Sequence, residues 1–227
     1  MNWTSKELKK KGLESLNKNF IRAYIVVLTV YMITDIPIYF FSMDGRVSGL
    51  TRTGAVLALV CVLTAAVFGG TVLSVGENAY FLKQRENRAE YSVLWGYFTD
   101  GMDRYFSVVK GMFFRYLKVL AWTLVFVIPG IMAYYSTFFV PWILAENPDM
   151  QPGTAIEKSK LMTKGHKMDI FIMQLTFAGW FILSIFLVYR FNLVLPAVWG
   201  HIVSIAVYAL PLVYYQATAA ELYVKLV

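Results

Sequence analysis

Residues 119–145 read VLAWTLVFVIPGIMAYYSTFFVPWILA, a run of 27 residues without a charged side chain. A helix needs roughly 20 apolar residues to cross a hydrocarbon core of about 30 Å, whereas this run would span about 40 Å as one straight helix. Pro129 and Gly130 interrupt it, because proline removes a backbone donor and glycine relaxes the helix. We therefore predict a helix break at Pro129 and Gly130, between arms at about 113–128 and 131–145. A single kinked and tilted helix is the alternative.

The composition of the whole chain agrees with that stretch. Apolar residues make up 58% of the 227 residues, charged residues make up 15%, and the mean hydropathy is +0.56. Soluble domains carry about 45–50% apolar and about 25% charged residues, and a water-soluble globule of this size could not bury so much apolar surface. These numbers exclude a disordered chain, and the single cysteine excludes a disulfide scaffold. An integral membrane protein remains.

Four more stretches are free, or nearly free, of charge: 23–43, which holds only Asp35, 53–76, 170–189 and 191–220. Runs this long and this continuously apolar are helical, since the strands of a membrane barrel alternate over about 10 residues. We predict an all-α polytopic transmembrane helical bundle that forms a single domain over 1–227. Its six membrane segments are expected at about 22–42, 54–76, 113–128, 131–145, 169–189 and 195–216.

The basic residues orient this bundle. With six segments and the N-terminus inside, 18 of the 21 lysines and arginines lie on the cytoplasmic side. With five segments only 14 of them do. Cytoplasmic loops carry the excess of Lys and Arg, so six segments with both termini cytoplasmic is the better interpretation. Whether the third and fourth segments cross fully or dip in and return stays open, because both arrangements give the same sidedness.

The N-terminal arm, residues 1–20, is basic and amphipathic. Thr4-x-x-Glu7 forms a capping box, and the apolar residues Leu8, Leu13, Leu16 and Phe20 fall roughly on one side of the helix that follows. We predict an interfacial helix that contacts the anionic headgroups of membrane lipids. The alternative is a signal that only fixes orientation. Membrane sidedness explains the net charge of +7, and no recognised motif points to nucleic acid.

Polar residues at membrane depth are candidate functional groups. Asp35 lies past the midplane of the first segment, where it would form a cation or proton site, pair with Arg190, or reach the outer water. A second set falls on the cytoplasmic side at similar depth, where it would line a polar vestibule or serve ordinary interfacial hydrogen bonds. That set is Glu77, Asn78, Asn147, Asp149, Gln174, Gln216 and Glu221.

A short cytoplasmic loop helix is predicted over 149–168. Thr154-x-x-Glu157 offers a capping box at its start, and Gly165 suits its C-terminal end. One face would carry Ala155, Ile156, Ser159, Met162 and His166. The helix would either dock a cytoplasmic partner or pack on the inner ends of the protein's own segments and on headgroups. The candidate partner-docking residues are Lys158, Lys160, Lys164 and His166.

Several sequence blocks resemble a known family. These are Gly76–Leu82 (GENAYFL), Trp122, Ile128–Ile131 (IPGI), Ile143–Met150 (ILAENPDM), Ala155-Ile156 with Ser159 and Leu161/Met162, Lys164–Lys167, Phe177-x-Gly179-Trp180, and a tail of Tyr214, Tyr215, Ala217, Thr218 and Ala220. Together they are similar to the bacterial integral membrane family catalogued as domain of unknown function 975. Gln151-Pro152-Gly153 departs from the expected smoother helix entry.

The resemblance implies a multi-pass protein of the bacterial cytoplasmic membrane and brings no established activity with it. Its layout is loosely similar to the membrane domain of some glycerophosphodiester phosphodiesterases, which is a likeness of architecture and not of chemistry.

Three function classes follow from the sequence. We predict no enzyme, because no facing carboxylates, H-E-x-x-H, G-x-S-x-G or phosphate loop occurs, and we predict neither a cofactor nor a metal site. A non-catalytic membrane factor is favoured, with a scaffold, lipid-interacting, assembly or self-protection role and a cytoplasmic or membrane protein as partner. The alternative is a small transporter, or the membrane subunit of a transport complex, with an inward-facing polar vestibule. Six short segments make a small carrier, so a homo-oligomer belongs to this alternative.

Overall fold

A computed structural model describes the backbone of residues 3–17, 19–42 and 52–227. Side chains are described in these ranges except at residues 35–42, at seven positions between 52 and 67, and at 197. The described part is all α-helical and contains no strand, as predicted. Its helices are α1 (Ser5–Leu16), α2 (Phe20–Ser42), α3 (Arg52–Ala65), α4 (Thr71–Arg85), α5 (Gly96–Thr99), α6 (Met102–Val125), α7 (Val127–Ser136), α8 (Val140–Glu146), α9 (Pro152–Met162), α10 (Lys167–Leu175), α11 (Ala178–Val194) and α12 (Ala197–Leu226). A π-helical turn, Ala66–Gly70, joins α3 to α4, and a 3-10 helix, Tyr91–Leu94, precedes α5.

Three stretches of the described chain are long and apolar enough to cross a membrane. They are Val127–Glu146, Lys167–Val194 and Val198–Leu226, with mean hydropathies of 1.5, 2.1 and 1.5. These stretches cover the predicted segments 131–145 and 169–189 and most of 195–216. Phe20–Thr34 is a shorter apolar helix within the first predicted segment. The structure therefore supports three membrane-spanning helices by length and composition, and six crossings stay a prediction.

The helix break that the sequence places at Pro129 and Gly130 lies instead at Phe126. The backbone is extended at Phe126, between the last residue of α6 and the first residue of α7. Pro129 therefore sits in the first turn of α7. The first backbone N–H groups of a helix have no partner within it, so proline loses no hydrogen bond there. The proline follows the break and does not form it.

Gly130 allows α6 and α7 to pack closely as a helical hairpin. A Cβ at position 130 would lie 2.8 Å from Cα of Thr123 on the opposite arm. The tip of this hairpin, around Phe126, is apolar and exposed, with 71% of the Phe126 side chain accessible. Exposed apolar side chains also cover α11. Such surface suits lipid better than water.

A second break, which the sequence analysis does not predict, separates α7 from α8. Pro141 lies in the first turn of α8 and has no N–H to give to the carbonyl of Thr137, four residues earlier. The Thr137 carbonyl instead accepts a hydrogen bond from Nε of Arg115 on α6, at 3.1 Å. The predicted arm 131–145 is therefore two short helices.

The amphipathic arm α1 packs on the protein. Leu8 and Leu16 are each 1% exposed, and α1 contacts α12 and α4. Gly12 lies against α12 so closely that a Cβ would be 2.9 Å from the backbone nitrogen of Thr218. Of the four apolar residues that the sequence assigns to the membrane surface, Leu8 and Leu16 are thus buried in the bundle, whereas Leu13 and Phe20 stay exposed. The exposed face of α1 keeps Lys6, Lys10 and Lys11.

Large aromatic side chains are buried at the end of the bundle where α4, α8 and α12 meet. Tyr80 on α4 and Tyr223 on α12 are fully buried there, and the rings of Trp142 and Tyr223 stack 6.0 Å apart. Gly76 brings α4 against the 3-10 helix, since a Cβ there would be 3.1 Å from the carbonyl carbon of Leu94. Three distant parts of the chain are therefore held together at this end.

Candidate functional site

The structure brings two of the predicted vestibule residues together. Glu77 on α4 is 3% exposed, and its side chain hydrogen-bonds with Gln216 on α12. Glu77 lies one residue beyond the predicted second membrane segment. Burial raises the pKa of this carboxyl to about 8, while the hydrogen bond from Gln216 opposes that shift. One oxygen of Glu77, Oε1, is buried and has no hydrogen-bond partner among the described residues.

Gln174 makes a separate contact. Its Oε1 accepts a hydrogen bond from the Tyr135 hydroxyl at 2.7 Å, and its Nε2 donates to the Tyr215 hydroxyl at 2.8 Å. The three side chains come from α7, α10 and α12. A half-buried amide satisfied on both sides holds these helices together, which is the usual use of polar groups between membrane helices.

Glu221 forms an ion pair and also lines a small pocket. Its Oε1 accepts from Nε of Arg85 at 2.6 Å, and both side chains are largely buried. Asn78 is buried in α4. Glu77 and Gln216 thus contact each other, whereas Gln174 and Glu221 contact other residues, and a shared vestibule stays a prediction. Asp35 falls in α2, but its side chain lies outside the described residues.

A cleft opens elsewhere, between the C-terminal part of α4, α5, the start of α6 and the loop from α8 to α9. Its volume is about 940 Å³. We call it the acidic cleft, because four carboxylates and two cations line it. These residues are Glu86, Asp100, Glu146, Asp149, Lys83 and Arg104.

Hydrogen bonds and ion pairs shape the acidic cleft. The guanidinium of Arg104 lies 3.4 Å from Asp100 and 3.8 Å from Asp149, so it joins opposite walls. The hydroxyl of Tyr97 donates to the carbonyl of Ala145 at the end of α8, at 2.6 Å. Burial raises the pKa of Tyr97 to about 12, and the nearby Asp100 carboxylate adds to that shift, so this donor stays neutral at physiological pH.

Tyr223 fixes a further wall residue from inside the core. Its hydroxyl donates to Oε2 of Glu146 at 2.6 Å. A hydrogen bond to a charged acceptor is stronger than one between neutral groups, so the Glu146 carboxylate has a defined position. Of the residues that line the acidic cleft, the sequence analysis assigns only Asn147 and Asp149 to a site, as part of the polar vestibule. The only sequence signal is the turn that begins at Glu146 and continues through Asn147-Pro148-Asp149.

The broken helices have their free carbonyls satisfied by other elements. The last carbonyls of a helix have no partner within it. Nζ of Lys9 on α1 donates to Thr176 at the end of α10 at 3.2 Å, and Nε2 of Gln84 donates to Ser15 near the end of α1 at 3.1 Å. Side chains from distant segments thus donate the hydrogen bonds that these two carbonyls do not receive from their own helices.

The loop helix α9 packs on the protein through one face. Ala155, Ser159 and Thr163 are fully buried, at spacings of one helical turn. The Ser159 hydroxyl accepts from the backbone N–H of Phe139 at 3.2 Å and donates to the carbonyl of Ser136 at 3.0 Å. Ser159 therefore bridges the break between α7 and α8.

The start of α9 differs from the sequence prediction. The helix begins at Pro152, and its N-cap residue Gln151 makes no side-chain capping bond, so Thr154 does not cap it. Proline suits this first position because the N–H it lacks would have no partner. Gly165 has a φ of +82°, which suits the predicted end of the helix.

The four predicted partner-docking residues do not form one surface. Lys160 is exposed on the outer side of α9, and Lys164 is exposed in the turn that follows α9. Lys158 is half-buried and lies about 160° around the helix from Lys160. His166 is half-buried, 3.1 Å from Asp169 and next to the ring of Trp3. Within the described residues, no group of three potential metal-ligating side chains lies close enough to hold an ion.

These features define an all-helical protein with three stretches apolar enough to cross a membrane, broken helices and a mixed-charge cleft. The profile of a family described as "Protein of unknown function (DUF975)" matches residues 104–227, which is more than half of the chain. The chain therefore belongs to this family, as the sequence blocks predict. The Gly76–Leu82 block lies before the matched range. Comparison with curated proteins and with solved structures found no match.

Proposed function

We propose that this protein is a non-catalytic scaffold of the bacterial cytoplasmic membrane that docks a basic segment of a partner protein in its acidic cleft. Six membrane segments with both termini cytoplasmic would place the end of α4, α5 and the loop after α8 on the cytoplasmic side. The division of basic residues between the two sides supports this orientation.

The charge of the cleft carries the proposal. The chain has a net charge of +7, yet four of the six charged side chains in this cleft are carboxylates. A local excess of negative charge inside a basic protein attracts cationic groups and repels acidic ones. Tyr97 and Tyr223 hold parts of the wall in place without substrate. A preformed wall lowers the cost of binding, because fewer side chains must be ordered.

The pairing of the interior polar groups favours a structural role over catalysis. Gln174 is satisfied by two tyrosines, and Glu221 is paired with Arg85. Groups engaged in this way stabilise helix contacts and are not poised for proton transfer or nucleophilic attack.

Photo-crosslinking tests the docking role. A benzoylphenylalanine replaces Met150, which lines the cleft, and in a matched protein it replaces Leu57 on the exposed surface of α3. After irradiation in native membranes, the Met150 protein should capture a peptide with net positive charge, and the Leu57 protein should not. Capture of only lipid or only acidic peptides at Met150 would refute the proposal.

Paired charge variants supply the control. Glu86→Gln with Asp149→Asn removes two charges from the cleft, and Glu14→Gln with Asp103→Asn removes two charges elsewhere. Glu86 and Glu14 each expose 59% of the side chain, so the comparison is matched in accessibility. The cleft variant should lower crosslinking at least tenfold, and the control should leave it within twofold.

The transporter is the second candidate, favoured by Glu77. A buried carboxylate with one unpartnered oxygen in the bundle could bind a cation or a proton. If Glu77→Gln removes a substrate-dependent phenotype while the cleft variant has no effect, the transporter becomes the better proposal. Asp35→Asn and Gln174→Ala are tested in the same assay.

Cysteine labelling tests the six-segment topology. Leu161 on α9 is 65% exposed, and Ser48 falls in the predicted outer loop. In a chain with Cys61→Ala, a membrane-impermeant maleimide applied to intact cells should label Ser48→Cys and leave Leu161→Cys unlabelled until the cells are opened. Labelling of Leu161→Cys from outside would reject the six-segment model.

A further inference from the structure

Three lysines line a depression between α9 and the start of α10, and a fourth, Lys118, lies on the neighbouring helix α6. Lys160, Lys164 and Lys167 line a depression of about 680 Å³, together with the single carboxylate of Glu157. The Lys118 ammonium on α6 interacts electrostatically with Lys160 and Lys167, and each of these interactions is repulsive. We call this feature the basic depression.

None of the four lysines forms an ion pair with an acidic side chain within the described part of the chain. Like charges held near each other by the backbone repel, and the repulsion is relieved when an external anion binds between them. α9 is fixed by its buried face, so the backbone positions of Lys160 and Lys164 are fixed. The depression therefore carries a local excess of positive charge that attracts anions.

Apolar side chains form the rest of the depression. Leu161 is 65% exposed and Met168 is 66% exposed, and both line it beside the lysines. The apolar stretch Lys167–Val194 begins at the depression itself. Beyond it, Ile172 and Leu175 continue the exposed apolar surface along α10. Positive charge thus gives way to apolar surface over about one helical turn.

We propose that Lys160, Lys164 and Lys167 bind the phosphate headgroup of an anionic phospholipid, whose acyl chains contact Leu161 and Met168. Lys118 adds to the positive charge around this site. A phospholipid presents both chemistries in this order, with its phosphate at the membrane interface and its chains on the apolar side. A soluble phosphate or an acidic peptide would use the lysines but gain little from the apolar residues. The inference rests on the membrane placement proposed above and is independent of the acidic cleft.

Lipid binding to the full-length protein tests the assignment. The purified protein is placed in detergent, and retention of dioleoyl-phosphatidylglycerol and dioleoyl-phosphatidylcholine is measured by native mass spectrometry. Lys160→Gln with Lys164→Gln removes two charges from the depression, whereas Lys110→Gln with Lys225→Gln removes two charges that lie outside both the depression and α1. Each lysine near an anionic lipid surface contributes about fivefold to binding, so the first variant should lose about 25-fold in phosphatidylglycerol affinity. The second should lose less than threefold.

Further measurements distinguish a lipid headgroup from a soluble phosphate and control for misfolded variants. Glycerol phosphate carries the headgroup without chains and should bind at least 100-fold more weakly than the lipid. Leu161→Ser should weaken lipid binding and leave glycerol phosphate binding unchanged. Lys160→Arg with Lys164→Arg keeps both charges and should restore lipid binding to within threefold of the natural chain.

Four results would overturn the assignment. Equal losses in the two lysine-to-glutamine variants would indicate unspecific attraction. Equal retention of phosphatidylcholine and phosphatidylglycerol would remove the need for an anion. Glycerol phosphate that binds as tightly as the lipid would make this a site for a soluble phosphate. Displacement of the lipid by polyglutamate would make it a docking surface for an acidic protein. None of these outcomes depends on what binds the acidic cleft.

Discussion

Ser159→Ala is expected to destabilise the protein through two helices that Ser159 does not belong to. The Ser159 hydroxyl lies on α9, is fully buried, and links the carbonyl that ends α7 to the N–H of Phe139 before α8. Alanine keeps the helix propensity of α9 and removes only the oxygen. The perturbation is therefore confined to the bridge across the break.

The cost can be worked out from the two hydrogen bonds. Phe139 is fully buried and Ser136 is 7% exposed, so water does not readily replace the lost hydroxyl. A buried donor or acceptor left without a partner costs about 1–3 kcal/mol. With some relaxation of the loop, we expect the free energy of unfolding to fall by about 2–4 kcal/mol. For a chain of this size, that loss lowers the unfolding temperature by about 4–16 °C.

The assay is thermal unfolding of the purified protein in one detergent, with Ser184→Ala as control. Ser184 is buried in α11, and it makes no hydrogen bond through its side chain within the described structure. Its replacement should shift the unfolding temperature by less than 2 °C. If Ser159→Ala unfolds at the same temperature as the natural chain, the bridge is not a stabilising contact and the reasoning fails.

Three more predictions concern single contacts. Because burial raises the pKa of Glu77 from 4.5 to about 8, the native state keeps a proton that the unfolded chain releases between these values. The free energy of unfolding should therefore fall as pH rises from 5 to 8, and Glu77→Gln should flatten that dependence. Denaturant titrations at several pH values measure it, and an equal dependence of the free energy of unfolding on pH in both proteins would contradict the prediction. Gly130→Ala should cost about 1–3 kcal/mol by crowding the other arm of the hairpin, whereas Gly179→Ala, with nothing within 4 Å of its Cβ, should be neutral in the same thermal assay. Tyr97→Phe removes the hydrogen bond to the end of α8 and should cost about 1 kcal/mol, with an unchanged unfolding temperature as the contrary result.

The helical class and the family could be predicted from the sequence, because both depend on local patterns. Long runs without charge need no knowledge of what packs against them. The loop helix is similar, since the spacing of Ala155 and Ser159 marks the face that becomes buried. The break near Phe126 was placed three residues late, because Pro129 was assigned to the break itself when it fits the first turn of the helix that follows.

The sites could not be predicted, because they depend on which helices become neighbours. The acidic cleft joins Lys83 and Glu86 to Glu146 and Asp149, about 60 residues later in the chain. Hydropathy along one segment carries no information on such a pairing. The apolar face of α1 shows the same limit: amphipathicity predicts that Leu8 and Leu16 are covered, but a membrane surface and α12 would cover them equally well.

The packing of α1 on α12 also has a consequence for the order of events during synthesis. The ribosome produces α1 before α12, about 200 residues apart. At about 5–20 residues per second, α1 waits on the order of 10–40 s for α12. During that time α12 does not cover Leu8 and Leu16, so these side chains are available to the membrane surface, to chaperones and to proteases. A chain truncated before α12 keeps them available for its whole lifetime, which gives the cell a way to tell finished copies from unfinished ones.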